Sequence, residues 1–196
     1  MYFSDGSVIN YKMLISTLPL KLMMELTGLT VDATPDPSSS VVVINIGALR
    51  GPQCPKDHWV YIPKSKTGFY RVGFYSNVDP SFLPMDSRLT NDRVSIYVER
   101  AYTDCIKPNS KEMEIICKET VDELKRWGFI EEVEVIDPTW IDIAYTWTWP
   151  GSNWRERALN LLQDHNIYQV GRYGEWVFQG IADSIREGLM AGGAIR

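Results

Sequence analysis

The sequence predicts a layered α+β protein in which a sheet-rich middle is inserted between two ends of mixed strand and helix character. Three observations predict it. Between residues 41 and 100 the apolar runs are short, β-branched or aromatic, and bounded by turn residues. Helical periodicity is confined to a short stretch near residue 21, a long one at 109–127 and two more after residue 153. A buried-looking strand opens the chain and another stands near its end, so the two ends come together and the middle is the insert.

Each element has a local reason. Tyr2-Phe3, Asp5-Gly6 and Val8-Ile9 read as a hairpin around an Asp-Gly turn. Met13 to Thr17 is a strand, and Lys21 to Leu26 a short helix with Pro19 before its start and Gly28 at its stop. Residues 32–40, with Pro35, Pro37 and three serines, read as a flexible connection. Val41 to Gly47 begins apolar on both faces, which predicts a central strand. His58–Pro63 and Phe69–Tyr75 flank the turn Lys64-Ser65-Lys66-Thr67-Gly68 and form an antiparallel pair. Residues 76–90 are loop, and Arg93–Arg100 alternates apolar and polar as a half-exposed strand does.

Asn109–Trp127 reads as a helix, capped by Asn109 or Ser110 and stopped by Gly128, with Met113, Ile116, Val121, Leu124 and Trp127 as its apolar stripe. Phe129–Val135 and Trp140–Trp149 read as two strands; in the second, Ile141, Ile143, Tyr145, Trp147 and Trp149 share a face. Pro150-Gly151-Ser152 ends it, and Asn153–His165 is amphipathic helix with Trp154, Ala158, Leu161 and Leu162 inward. Ile167–Val170 is a short strand, and a final helix opens at Phe178-Gln179-Gly180-Ile181.

Composition narrows the function. The 196 residues carry a formal net charge of −5 without a basic cluster, which argues against a nucleic-acid partner. No apolar run approaches a membrane span, and the first residues lack a basic, apolar leader, so a cytoplasmic setting is expected. Three cysteines without a CxxC pair, and only His58 and His165, argue against a disulfide framework or a metal centre. There is no GxSxG elbow, P-loop or HExxH, so no catalytic side chain is assigned, and a cofactor enzyme remains open.

The most informative stretch is 171–192. Gly180, Ser184, Gly188 and Gly192 fall at intervals of four and line one side of a helix, with Ile181, Ile185 and Leu189 beside them. Each interior glycine costs roughly 1 kcal/mol against alanine, so something bulky or flat is expected against that face: a strand, a helix or a planar cofactor. Gly171 would let the backbone approach a ligand. Arg172 could grip a phosphate with its planar fork, or make a surface salt bridge with Glu175 or Asp183.

Taken in order, these segments resemble the C-terminal portion of flavin-dependent amine oxidoreductases. Gly171-Arg172-Tyr173-Gly174-Glu175-Trp176 through Gln179-Gly180-Ile181-Ala182-Asp183-Ser184 is similar to the FAD-contacting segment of the protoporphyrinogen-oxidase-like branch of the amine oxidase superfamily, which is also similar to UDP-galactopyranose mutases. Asp5-Gly6 to Ile15-Ser16-Thr17-Leu18-Pro19-Leu20, the hairpin His58–Asn77 and Trp149-Pro150 agree in order. The family's GxGxxG strand-turn-helix half is missing, so the chain resembles a truncated member.

The resemblance implies an antiparallel-sheet substrate domain, residues 32–150, inserted in a partial Rossmann-like FAD-binding domain formed by 1–31 and 151–196. It implies FAD as cofactor, with Thr17, Pro19, Gly171, Arg172, Gln179, Gly180 and Ile181 on the cofactor side and Tyr61, Arg71 and Tyr75 on the side of a small-molecule substrate. The activity implied is hydride transfer from substrate to flavin N5 by an oxidoreductase, with a partner chain supplying the missing half. Alternatives are a UDP-galactopyranose-mutase-like flavoprotein acting on a nucleotide sugar, and an inactive fragment or one half of a split flavoprotein.

Overall fold

The computed structural model describes residues 1–194 of the chain; the last two positions of the expected C-terminal segment lie outside the described residues. The chain divides into two compact units, one built from residues 1–38 together with the chain from Tyr145 onward, the other from Ser39–Ala144. It is a mixed α/β protein with a five-stranded antiparallel sheet and a separate parallel strand pair.

In the first unit a single antiparallel bridge joins Tyr2 to Val8 around the Asp5-Gly6 turn. Strand β1 (Leu14–Ser16) leads into helix α1 (Leu20–Thr27), and helix α4 (Trp154–Asp164) leads into strand β7 (Ile167–Gln169). β1 and β7 are parallel, with Leu14 opposite Ile167, Ile15 opposite Tyr168 and Ser16 opposite Gln169. Leu20, Met23, Trp154, Ala158 and Leu162 are buried, as the 3.6-residue spacing of α1 and α4 predicts, and Ile167 of β7 is buried with them. A short turn of helix, α5 (Gly171–Gly174), precedes helix α6 (Ile181–Ala194).

In the second unit the sheet order is β3 (Trp59–Tyr61), β4 (Arg71–Phe74), β5 (Arg93–Tyr102), β2 (Ser38–Arg50) and β6 (Ile130–Thr146). The doubly apolar run at 41–47 lies inside β2, which is flanked by β5 and β6. Val42, Ile44, Ile46 and Ala48 of β2, Val72 and Phe74 of β4, and Val94, Ile96 and Val98 of β5 alternate onto one face. Helix α3 (Ser110–Arg126) covers that face with Ile116, Cys117 and Leu124, and Met113, Val121 and Trp127 pack beside them. Asn109, not Ser110, caps α3: its side chain accepts from the Glu112 amide at 3.0 Å while Glu112 accepts from the Asn109 amide at 2.8 Å.

Three local expectations are corrected. The two strands expected at 129–135 and 140–149 are one strand, β6, which runs through Pro138. Proline is tolerated because β6 is an edge strand and its missing donor can face away from the ladder. The strand expected over 69–75 stops at Phe74, and Tyr75 begins a short helix α2 (Tyr75–Val78). The connection expected at 32–40 is extended strand from Ser38, because β2 continues its pairing outward to Ser40 opposite Tyr102.

Candidate functional site

The first candidate site lies at the C-terminal ends of the parallel pair. That edge of parallel strands is where α/β folds place ligands. Past β1 the chain turns sharply: the Leu18 amide donates to Ser16 Oγ at 3.1 Å, and the Pro19 carbonyl opens α1 by accepting from the Met23 amide at 3.0 Å. Thr17 is exposed and Pro19 half-buried. Gln169, 7% exposed, donates Nε2 to the Leu18 carbonyl at 3.3 Å. Its Oε1 is buried and finds no hydrogen-bond partner among the described residues.

After β7 the backbone reverses at Gly171, whose φ of 83° favours glycine, and nothing lies within 4 Å of where its Cβ would stand. The Glu175 amide closes this turn onto the Gly171 carbonyl at 2.8 Å. Gly174 packs against the Ser16 carbonyl, 3.3 Å from its would-be Cβ, so α5 sits directly on the strand ends.

Arg172 donates to the Gln179 carbonyl at 3.3 Å, and its guanidinium lies 4.8, 5.4 and 5.7 Å from the rings of Phe178, Tyr145 and Tyr173. The two acids that offered it a salt bridge are engaged elsewhere: Glu175 with Arg155 at 3.7 Å, Asp183 with Arg186. A guanidinium among aromatic faces is stacked and partly dehydrated, a state in which it binds anions strongly.

Gly180 and Ile181 form the start of α6, where Asp183 accepts from the Gly180 amide at 3.2 Å. Gln179 Nε2 donates to Glu187 Oε2 at 3.1 Å, and the Gly171 amide donates to the same oxygen at 2.7 Å. The structure therefore brings Gly171, Arg172, Gln179, Gly180 and Ile181 into one continuous turn. Glu175 is held above the ordinary carboxyl range by burial, then by the charge of Glu187 and a hydrogen bond with it, with Arg155 opposing.

Among the described residues, nothing packs against the small-residue row of α6 closely enough to explain it. A Cβ on Gly188 or Gly192 would meet open space, and Ile181, Ile185 and Leu189 are 83%, 60% and 73% exposed. Trp176 is the opposite case: it is 1% exposed, stacks edge-on with Trp154 at 5.8 Å, and holds a left-handed φ of 57°. Such a backbone costs about 1–3 kcal/mol in a non-glycine residue, and the buried indole offsets it.

The second candidate site is the sheet face of the other unit that α3 leaves uncovered. Register places Tyr61, Arg71, Glu99 and Val43 in one row across four strands, and Trp59, Gly73, Tyr97 and Asn45 in the next. Arg71 pairs with Glu99, which also accepts from the Tyr70 hydroxyl. The Tyr97 ring lies flat over Gly73, with ring atoms 2.0 and 2.1 Å from where a Cβ would be, so only glycine fits beneath it. Tyr75 tilts against Tyr97 at 4.7 Å and stacks on Phe82 at 5.1 Å. Its phenol is pushed above its ordinary value by burial and then by Glu99, with Arg71 opposing. Arg71 and Tyr75 thus share one cluster, whereas Tyr61 stands exposed at the edge of the same row.

Sequence reasoning missed Gln169, Glu187, Phe178 and Tyr145 in the first site and Tyr97 and Glu99 in the second. The last two were legible as the outward positions of an alternating strand. The others depend on a chain reversal that no local signal announces.

No family model matches the chain. Its fold is similar to that of a reduced UDP-galactopyranose mutase, with a TM-score of 0.69 and 21% sequence identity over 89% of this chain and 39% of that one. It is also similar to an oxidoreductase from Methanosarcina mazei, with a TM-score of 0.51 and 15% identity over 97% of this chain and 44% of that one. At these identities the likeness is one of fold, and the chain spans about two fifths of the length of the structures it matches.

Proposed function

We propose that this chain is the flavin-ring and substrate-bearing portion of an FAD-dependent oxidoreductase of the amine oxidase superfamily, its antiparallel sheet inserted in a partial Rossmann-like domain and its site completed by a nucleotide-binding half. The observation that carries the reading is the continuous turn from Gly171 to Ile181 at the ends of a parallel strand pair. The residues fit a flavin. Gly171 leaves open space, Gln169 Oε1 is a buried acceptor in want of a donor, and Arg172 is a stacked cation suited to a phosphate or ribityl oxygen. Gln179, Gly180 and Ile181 would face the ring edge, and Thr17 and Pro19 would wall the same end of the strands. The flavin, when bound, supplies the hydride-accepting chemistry. The chain supplies orientation and a helix start whose partial positive charge favours the electron-rich edge of a reduced ring. Tyr61, Arg71 and Tyr75 would contact a small-molecule substrate.

A second reading, a flavoprotein acting on a nucleotide sugar, is supported by the higher TM-score of the mutase and by the row that sets Tyr61 beside Arg71, an aromatic face next to a cation. FAD titrated into the purified chain tests the shared premise. The visible flavin spectrum is expected to shift and its fluorescence to be quenched, with Arg172→Ala weakening the effect. A flavin spectrum unchanged at every protein concentration overturns FAD binding by this chain alone and leaves an inactive fragment or one half of a split flavoprotein, which the same titration with the nucleotide-binding half added separates. Product analysis with amines, porphyrinogens and UDP-sugars then separates oxidation from sugar isomerisation.

A further inference from the structure

Strand β6 is an outer strand of the five-stranded sheet, and its free edge is long. It runs for 17 residues, against about 3–10 in most strands. Edge strands are ordinarily kept short, because their unpaired amides and carbonyls invite another chain. Over residues 131–143 no side chain of β6 is buried, and Val135, Ile136 and Ile141 are apolar groups left exposed.

Helix α3 stands beside this edge. Between them runs an open groove of about 590 Å³, floored by Met113, Cys117 and Val121 of α3 and by Val133, Ile136 and Pro138 of β6. It lies on the sheet face that α3 covers, opposite Tyr61, Arg71 and Tyr75, so nothing in it depends on the flavin reading.

The two sides of β6 differ in chemistry. Val133, Ile136 and Pro138 turn to the groove, whereas Glu134 and Asp137 turn to the opposite face, where Arg93 pairs with Glu134 at 2.9 Å. Glu131, Glu132, Glu134, Asp137 and Asp142 stand along the strand without a lysine, arginine or histidine. Among the described residues, Glu134 alone of these acids has an ion pair. The charges exclude a second copy of the chain, because β6 paired with another β6 sets acid opposite acid. The same charges favour a strand of opposite sign. A helix beside an open strand edge is an arrangement that takes up an extended peptide as a further strand, main-chain hydrogen bonds giving affinity and alternate side-chain pockets specificity.

We propose that the groove between α3 and β6 docks an extended segment of another protein, added to the edge of β6, whose side chains alternate between apolar and cationic. The apolar side chains enter the groove over Val121 and Ile136, and the lysines or arginines meet Asp137 and the acids beside it. Pro138 has no amide to offer, so the added strand pairs along 131–137, where the groove is.

A fluorescently labelled, end-capped peptide of alternating lysine and valine tests this on the full chain. Its anisotropy is expected to rise on titration with the chain, and the amides of 131–137 to exchange more slowly in the complex. Binding should weaken as salt rises from about 0.1 M to about 1 M, over which the reach of a charge falls from ~10 to ~3 Å. Asp137→Lys reverses one exposed charge and Ile136→Thr removes one exposed anchor. Each should weaken binding by roughly three- to tenfold with the unfolding midpoint unchanged. A glutamate–valine peptide, and the lysine–valine peptide with its backbone amides N-methylated, should not bind. No rise in anisotropy with the lysine–valine peptide overturns the docking site. Equal binding of the glutamate–valine peptide overturns the charge selection, and equal binding of the N-methylated one overturns strand addition. A chain that dimerises in sedimentation and is made monomeric by Ile136→Thr assigns the groove to a second copy and overturns the proposed occupant.

Discussion

Glu123 on α3 holds Thr67 twice, accepting its amide at 2.9 Å and its hydroxyl at 2.8 Å. The same carboxylate accepts the Lys66 amide at 2.9 Å and Ser65 Oγ at 3.1 Å, so a buried acid serves as the internal anion of the 64–68 turn. Burial alone would raise its pKa, but these donors outweigh burial and hold it below the usual carboxylate range.

Glu123→Gln keeps the shape but reverses half of the hydrogen-bonding, setting an NH2 group against donors. A loss on the order of 3 kcal/mol is expected in denaturant unfolding. Because the folded carboxyl is more acidic than the unfolded one, this stability is present above the ordinary range and disappears as the pH falls through the depressed value. The wild-type midpoint should therefore drop in acid more steeply than that of the variant.

Gly51 lies against the backbone of Gly128, whose carbonyl oxygen would stand 2.2 Å from an added Cβ. The Gly51 amide donates to Phe129 and the Gln53 amide to Gly128, so neither segment can retreat without losing a ladder bond. Gly51→Ala should cost about 1–3 kcal/mol, measured as a lowered urea midpoint with an unchanged slope.

Trp176 fills the first unit between Trp154 and Lys21, whose ammonium lies 5.1 Å from the indole centroid. Trp176→Ala should cost about 3–5 kcal/mol while leaving the strained φ in place. Loss of one blue-shifted tryptophan band, together with a lower unfolding midpoint, is the expected signature. An unchanged midpoint would show that the site collapses freely around the loss.

Tyr75 reports on the Arg71–Glu99 pair. Glu99→Gln removes the negative charge that adds to the effect of burial, so the phenol should ionise closer to its ordinary value of 10.0 while remaining above it. Phenolate absorbance titrated against a Tyr75→Phe control measures this. A titration curve identical to wild type would mean that Glu99 does not act on Tyr75.

Local pattern alone determined the elements whose residues carry their own instructions. The apolar run at 41–47 became an inner strand, paired on either side by β5 and β6, with Val42, Ile44 and Ile46 buried under α3 and Val43 half-buried on the other face. Asn109 with Glu112, and Gly128 at a left-handed φ of 69°, set the ends of α3 to within a residue because capping is a matter of a few adjacent groups. The apolar run before Gly171 and the helical spacing after Gln179-Gly180 likewise marked a short strand and a final helix, as β7 and α6 are.

Tertiary structure decided what lies far apart along the chain. Proline 138 reads as a strand breaker until the sheet places it on an outer edge. Arg172 had Glu175 and Asp183 within reach in sequence, yet Arg155 and Arg186 take them, and the guanidinium turns to three rings, one of them Tyr145. Glu187 looks like any solvated helix acid until the reversal at Gly171 brings an amide, a side-chain amide and a second carboxyl to it. Side-chain periodicity fixes which face of an element is buried, whereas the partner of a buried charge depends on chain crossings that local spacing does not encode.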